Sequence, residues 1–219
     1  DGELVVQKQV GKISALEKYL DTVRAHGHVG IAHTRWATHG RPSTENSHPH
    51  TDCRKRIALV HNGIIENYLE LREELVRTGH TFTSSTDTEV LAHLIELDYH
   101  GNLEKAVQSA LRKVRGSYAI VVISQDEPDK LVAARSKSPL VIGLDESETF
   151  IASDILALVK YTPRVIMLGD NEVAVVQHNV VHVTDLWGKP TEKEVQFISW
   201  DPVSAEKGGF AHFMLKEIH

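Results

Sequence analysis

SYAIVVISQDEPDKLVAARS (Ser117–Ser136) is a pair of apolar, β-branched-rich runs, YAIVVIS and KLVAARS, parted by the turn residues Glu127, Pro128 and Asp129. Runs of this kind, bounded by turn chemistry, read as adjacent antiparallel strands. The pattern then continues through LVIGL, TFIAS, RVIML, EVAVVQ and VVHVTDL, with Gly169-Asp170-Asn171 and His178-Asn179 as further turn signals. The second half of the chain is therefore expected to be mostly antiparallel sheet.

Upstream of Ser117 the period changes. Asn67, with Glu70 three residues later, starts a helix whose Tyr68, Leu71 and Leu75 share one face and which Gly79 ends. Thr86-Asp87-Thr88-Glu89 is a capping box before Val90, Leu91, Leu94 and Ile95, which repeat at helical spacing. A third helix follows Gly101-Asn102, with Leu103, Ala106, Val107, Ala110, Leu111 and Val114 as one apolar stripe and Gly116 as its close. Residues 29–34 (VGIAHT) and 57–61 (IALVH) read as buried strands, each of which delivers a histidine and then a motif. No repeat, low-complexity segment or linker divides the chain. A single domain over residues 1–219 is expected, with an α+β fold in which helices cover antiparallel sheets.

Composition narrows the partners. The 219 residues carry 30 acidic against 24 basic side chains, a net charge of −6, with no Lys/Arg run that could follow a phosphate backbone. Nucleic acid and anionic membranes are not expected partners. No apolar run approaches the roughly 20 residues of a membrane-spanning helix, and a single cysteine, Cys53, excludes an internal disulfide. A cytoplasmic protein is the expectation.

Candidate site residues cluster around three motifs. Arg35 ends the first strand, where its planar fork of donors could hold a carboxylate or phosphate. Trp36 follows, and Thr38, His39 and Gly40 turn the chain, offering a hydroxyl, an imidazole and backbone donors. Asn62-Gly63 at the end of IALVH is either a hairpin turn or an oxyanion hole made of an amide side chain and a glycine N–H; the helix-bound IIEN that follows weighs against the hairpin. Asp87 lies in a first helical turn, where capping explains it, yet its carboxylate could also bind an ammonium. Together Arg35 and Asp87 would frame a free α-amino acid. His33, His39, His48, His50 and His61 raise a metal site, but their spacing matches no zinc signature, so they are read as packed, hydrogen-bonded residues and no cofactor or metal is expected. Cys53, in the charged loop TDCRKR, is read as a spectator thiol.

HTRWATHG, ENSHPH, HNGIIENY, SSTDTEV, RSKSPLVIGL and FIASD, in that order, resemble the N-terminal glutaminase domain of the glutamine–fructose-6-phosphate aminotransferase family, a group of class II glutamine amidotransferases. The likeness covers almost the whole chain. It implies an N-terminal-nucleophile hydrolase fold, a four-layer αββα arrangement with two antiparallel sheets. It also implies an N-terminal cysteine that attacks the glutamine amide with its own α-amino group as base, giving a thioester and ammonia. Carried onto this sequence, Arg35 would bind the glutamine α-carboxylate and Asp87 its α-ammonium. Thr38 and His39 would complete the pocket, Asn62 and Gly63 would form the oxyanion hole, and Trp36 would lie on a mobile loop that closes over glutamine. The ammonia would pass to fructose-6-phosphate in a sugar-phosphate isomerase domain of the same polypeptide, and the full-length protein would be a homodimer.

The departure from the family pattern is at the start, where Asp1 stands in place of Cys-Gly-Ile. The chain is thus expected to be a fragment without its nucleophile, inactive alone. A glutamine-sensing or scaffolding module is the competing expectation.

Overall fold

In the computed structural model, residues 3–22, 27–35 and 39–199 are described. The sheet signals of the second half hold. Strands β1 (His50–Thr51), β2 (Ile57–Ile65), β3 (Gly116–Ser124), β4 (Glu127–Ser136), β8 (Glu172–Gln177) and β9 (Val180–Asp185) form a six-stranded sheet in the order β1-β2-β3-β4-β8-β9. Strands β5 (Val141–Leu144), β6 (Thr149–Ala152), β7 (Arg164–Met167) and β10 (Gln196–Phe197) form a four-stranded sheet in the order β10-β7-β5-β6. Every neighbouring pair is antiparallel.

Helices α2 (Tyr68–Arg77), α3 (Glu89–Asp98) and α4 (Leu103–Lys113) lie on one face of the larger sheet and the smaller sheet on the other. Alternation along the strands divides the core accordingly. Tyr118, Ile120 and Val122 of β3, Val132 and Ala134 of β4, and Val173 and Val175 of β8 join the helical cluster with Leu91, Leu103 and Leu111. The intervening Ala119, Ala133 and Ala174 meet Ile142, Ile166 and Leu168 of the second sheet. A sheet buried on both faces explains why its strands read as continuous apolar runs. Burial of each large side chain contributes about 1.5–3 kcal/mol. On its outer face the smaller sheet packs Val141 and Val165 against Leu158, next to the 3-10 turn Ile155–Ala157.

Three local expectations are corrected. The β3–β4 turn falls on Gln125 and Asp126, and β4 starts at Glu127. The register jumps from Ser124↔Glu127 to Ile123↔Leu131, so Pro128 sits in a bulge where no ladder N–H is required of it. Residues 29–34 form no strand. Val29, Ile31, His33 and Arg35 alternate half-buried with exposed Gly30, Ala32 and Thr34, an extended segment with an inward face but no ladder. Asn62-Gly63 does not end its strand either, because β2 runs on to Ile65 and pairs with β3 as far as Ile65↔Gly116. The opening segment also holds a helix, α1 (Ile13–Leu20), whose Ile13, Leu16 and Leu20 repeat at helical spacing although none of its residues is buried.

The helix starts are placed as expected but not capped as expected. Asn67 precedes α2, yet its amide donates to Lys113 O at 3.0 Å and accepts from Arg115 N at 2.8 Å, tying α2 to the end of α4. Thr88 precedes α3 without a side-chain cap. Glu89 instead accepts from Thr83 N at 2.8 Å and Ser84 N at 2.6 Å, while Thr86 N donates to Ser84 Oγ, so neither half of the expected box forms and Glu89 holds the segment before the helix.

Candidate active site

One cavity of about 380 Å³ collects most of the polar groups singled out from the sequence. Arg35, Asn62, Gly63 and Asp87 line it, with His33, Thr34, His48, His61, Thr86, Thr88 and Ser117. Adjoining cavities of about 520 and 700 Å³ share His33 and Thr34 with it but include neither Asp87 nor Gly63. The smaller one is the candidate site, since convergent polar groups and not volume mark a place that orients a ligand. Trp36 and Thr38 lie outside the described residues.

Arg35 enters from the extended segment. Its Nη2 donates to His39 O and, at 3.0 Å, to Gly40 O, which ties together the two ends of the loop that follows it. A guanidinium has five N–H donors, so this leaves a free edge for an anion. Burial pulls the Arg35 guanidinium below its ordinary value, and the negative charge of Asp87 opposes that shift. The two opposite charges line the same cavity.

Asp87 is only 3 % exposed. Its Oδ2 accepts from Ile65 N at 2.8 Å, which spends one oxygen on holding the end of β2. Oδ1 lies 3.9 Å from His39 Nδ1, and the His39 ring packs edge-on against Tyr68. One oxygen fixes the carboxylate and the other stands nearest His39. Asp87 is therefore more than a helix-start residue.

Asn62 and Gly63 lie inside β2. Gly63 has φ 135°, and a Cβ there would stand 2.1 Å from Ser117 O, so β2 and β3 approach too closely for any other residue. The hairpin reading of Asn-Gly is excluded. Asn62 Oδ1 meets His33 Nε2 at 2.6 Å. An amide oxygen only accepts, so His33 carries its proton on Nε2 and the Asn62 NH₂ is left to donate elsewhere.

The other histidines behave as packed groups. His33 and His48 stack at 4.0 Å, and His48 meets His50 edge-on at 4.9 Å. His50 Nε2 is 3.2 Å from Thr86 Oγ1, and His61 Nδ1 is 2.9 Å from Thr88 Oγ1. Burial pushes His48 far below the usual imidazole range, His50 down to about 3 and His61 down to about 4, the last against the pull of Asp87. All three are neutral near pH 7. Cys53 lines none of this cavity, and burial pushes its thiol up, opposite to the lowering its basic neighbours could produce.

Two contributors had no distinctive sequence signal. His33 was visible as a histidine but not as the partner of Asn62. Asn46 accepts from Ser85 N at 2.9 Å and donates to Arg41 O at 2.9 Å, which pins the loop after Gly40 to the segment before Asp87. Nothing in a loop of Ser, Thr, Asn and Pro distinguishes that one asparagine.

The sequence pattern of the family described as "Glutamine amidotransferase domain" matches residues 33–160, which takes in Arg35, Asn62, Gly63 and Asp87. The chain belongs to this family. Among relatives of the amidotransferase domain, the glutamine–fructose-6-phosphate aminotransferases (isomerizing) of Aquifex aeolicus and Methanothermobacter thermautotrophicus are each 52 % identical over 100 % of this chain. That of Thermus thermophilus is 53 % identical over 99 % of it. The chain spans 37 % of the length of the first two and 36 % of the third. Among solved structures, a glutamine phosphoribosylpyrophosphate amidotransferase from B. subtilis is similar at a TM-score of 0.60 and 27 % identity, covering 70 % of this chain and 34 % of that one. The amidotransferase domain thus has the α+β, two-sheet fold of N-terminal-nucleophile hydrolase type that the resemblance implied.

Proposed function

We propose that this domain is the glutamine-binding and oxyanion-stabilising part of a glutaminase. The observation that carries the reading is the convergence of Arg35, Asp87, Asn62 and Gly63 on one cavity of about 380 Å³. Arg35 takes the α-carboxylate of L-glutamine with its free guanidinium edge, and Asp87 Oδ1 takes the α-ammonium. The side-chain amide then points toward Asn62, where the NH₂ group freed by the His33 bond and the N–H of Gly63 receive the negative charge that develops on the amide oxygen. Thr38 and His39 complete the pocket and Trp36 closes over it.

No cysteine of the chain other than Cys53 exists, and Cys53 lines no part of this cavity. The 219 residues by themselves accordingly bind glutamine without hydrolysing it. In the whole protein an N-terminal cysteine attacks the amide, and the ammonia goes to fructose-6-phosphate bound by a sugar-phosphate isomerase domain, giving glucosamine-6-phosphate and glutamate in a homodimer. The identity of the relatives over the full chain supports this second half of the reading.

A second reading is a module that senses glutamine and does not turn it over, and the cavity's Arg35 and Asp87 would serve it equally. Ammonia release separates the two. A longer form of the protein that begins with a cysteine frees ammonia from glutamine on the first reading and frees none on the second. Calorimetric titration with L-glutamine tests what both share.

A further inference from the structure

Away from the glutamine cavity, four metal-ligating side chains converge. Cys53 Sγ, His80 Nδ1, His93 Nδ1 and a Glu96 carboxylate oxygen all lie within 4.8 Å of one another. Sγ is 3.7 Å from His80 Nδ1 and 3.5 Å from His93 Nδ1. Glu96 Oε2 is 3.1 Å from His80 Nδ1 and 3.4 Å from His93 Nδ1. A tetrahedral zinc site, with bonds of about 2.0–2.3 Å, separates its donors by roughly 3.3–3.8 Å. Four of the six edges of this tetrahedron already have nearly that length without a metal.

The donors come from three segments that the fold brings together. Cys53 is in the turn between β1 and β2, and its N–H donates to Glu96 Oε2 at 3.2 Å. His80 follows the end of α2, where Gly79 at φ 98° lets His80 N bond Leu75 O at 3.0 Å and Gly79 N bond Val76 O at 3.1 Å, a Schellman end that fixes the direction of His80. His93 and Glu96 sit three apart on one face of α3.

The set also has an outer layer. The His93 ring is 1 % exposed and packs edge-on against Phe82 at 4.4 Å. Its Nε2 is buried without a hydrogen-bond partner and stands 3.7 Å from Glu89 Oε1. Metal-bound histidines commonly aim the far ring nitrogen at a carboxylate, which sets the tautomer that leaves the near nitrogen bare. Glu89 is itself held by Thr83 and Ser84, so it is a fixed partner.

We propose that Cys53, His80, His93 and Glu96 bind one zinc-class divalent cation as a closed structural site. Sulfur, two imidazoles and one carboxylate suit zinc and cobalt(II) and do not suit magnesium or calcium, which take oxygen donors. On binding, the metal takes the lone pairs of both Nδ1 atoms and of the thiolate, and the Cys53 proton passes to solvent. The ion fastens the β1–β2 turn and the α2–α3 connection to α3, the helix that Asp87 and Thr88 lead into. It does not touch the glutamine cavity, so it holds the frame and takes no part in the reaction.

Untagged protein is loaded with zinc, passed over a chelating resin and analysed for metal per chain, and a cobalt(II)-loaded sample is read for thiolate-to-cobalt charge transfer. One zinc per chain is expected, with a cobalt spectrum of tetrahedral intensity that includes the thiolate band. Cys53→Ser abolishes the thiolate band, and His80→Asn lowers zinc occupancy at least tenfold. Should either variant misfold, the cobalt spectrum of the unaltered protein decides alone. Zinc far below one per chain in folded protein, or a cobalt spectrum without the thiolate band, overturns the site in favour of a metal-free hydrogen-bonded cluster. Equal zinc content in folded Cys53→Ser and His80→Asn overturns it in favour of adventitious metal.

Discussion

His33 Nε2 and Asn62 Oδ1 are 2.6 Å apart, although one lies on an unpaired extended segment and the other in the middle of β2. This bond assigns the Asn62 amide its orientation. The oxygen is occupied, and the NH₂ group is the part free to meet substrate.

In a form of the protein that turns glutamine over, Asn62→Ala should lower kcat by about 10²–10³, the usual effect of removing one oxyanion donor. His33→Ala should lower kcat by about fivefold, because the amide loses one net hydrogen bond of roughly 1 kcal/mol that selects its orientation. Neither should raise KM appreciably, since both act on charge that develops only in the transition state. Steady-state kinetics check this, and a rise in KM at constant kcat would place both residues in ground-state binding instead.

Gly63 tests the course of β2. Alanine there meets Ser117 O at 2.1 Å and is forced to φ 135°, so the β2–β3 ladder must shift. Strain of this kind costs about 1–3 kcal/mol. Gly63→Ala should lower the unfolding free energy read from chemical denaturation by that amount and weaken glutamine binding, while Gly101→Ala, where a Cβ meets nothing within 4 Å, should leave binding intact.

Acid should unfold the domain early. His61 and His50 are held neutral, at about 4 and about 3, against about 6.5 in an unfolded chain. Between those values the unfolded state binds more protons, so stability is full above pH 6.5 and is lost as pH falls toward 4 and then 3. Melting temperature should drop across that window, and an NMR titration should show the His61 ring still neutral at pH 5. A ring that protonates near pH 6.5 would contradict the buried His61–Thr88 contact.

Much of the fold was open to reading because the larger sheet is buried on both faces. YAIVVIS, KLVAARS and EVAVVQ hold uninterrupted apolar stretches of four or more residues, and at such short lengths bounded by turn residues that pattern reads as strand. Residues 29–34 were misread for the same reason, since apolar alternation shows an extended segment with an inward face but not whether a ladder partner lies beside it. Asn62-Gly63 was misplaced because a turn signal is local, whereas the reason for Gly63 is Ser117, more than fifty residues away. Charge chemistry singled out Arg35 and Asp87, and the two line one cavity. The Cys53 cluster was not: Cys53 is 27 residues from His80 and 40 from His93, and no zinc signature has that spacing. Cys53 is therefore not the isolated thiol that its loop indicated.

On the proposed reading, Arg35 and Asp87 grip the two ends of a free α-amino acid in the cavity that both line. Calorimetric titration of L-glutamine into the unaltered protein, Arg35→Ala and Asp87→Asn tests it most directly. Saturable binding that is weakened about 10- to 100-fold by each substitution, as loss of a charged hydrogen-bonding partner worth roughly 1.5–3 kcal/mol requires, with D-glutamine bound far more weakly, is the predicted result. Glutamine binding that is undetectable in folded protein, or unchanged by both substitutions, would contradict it.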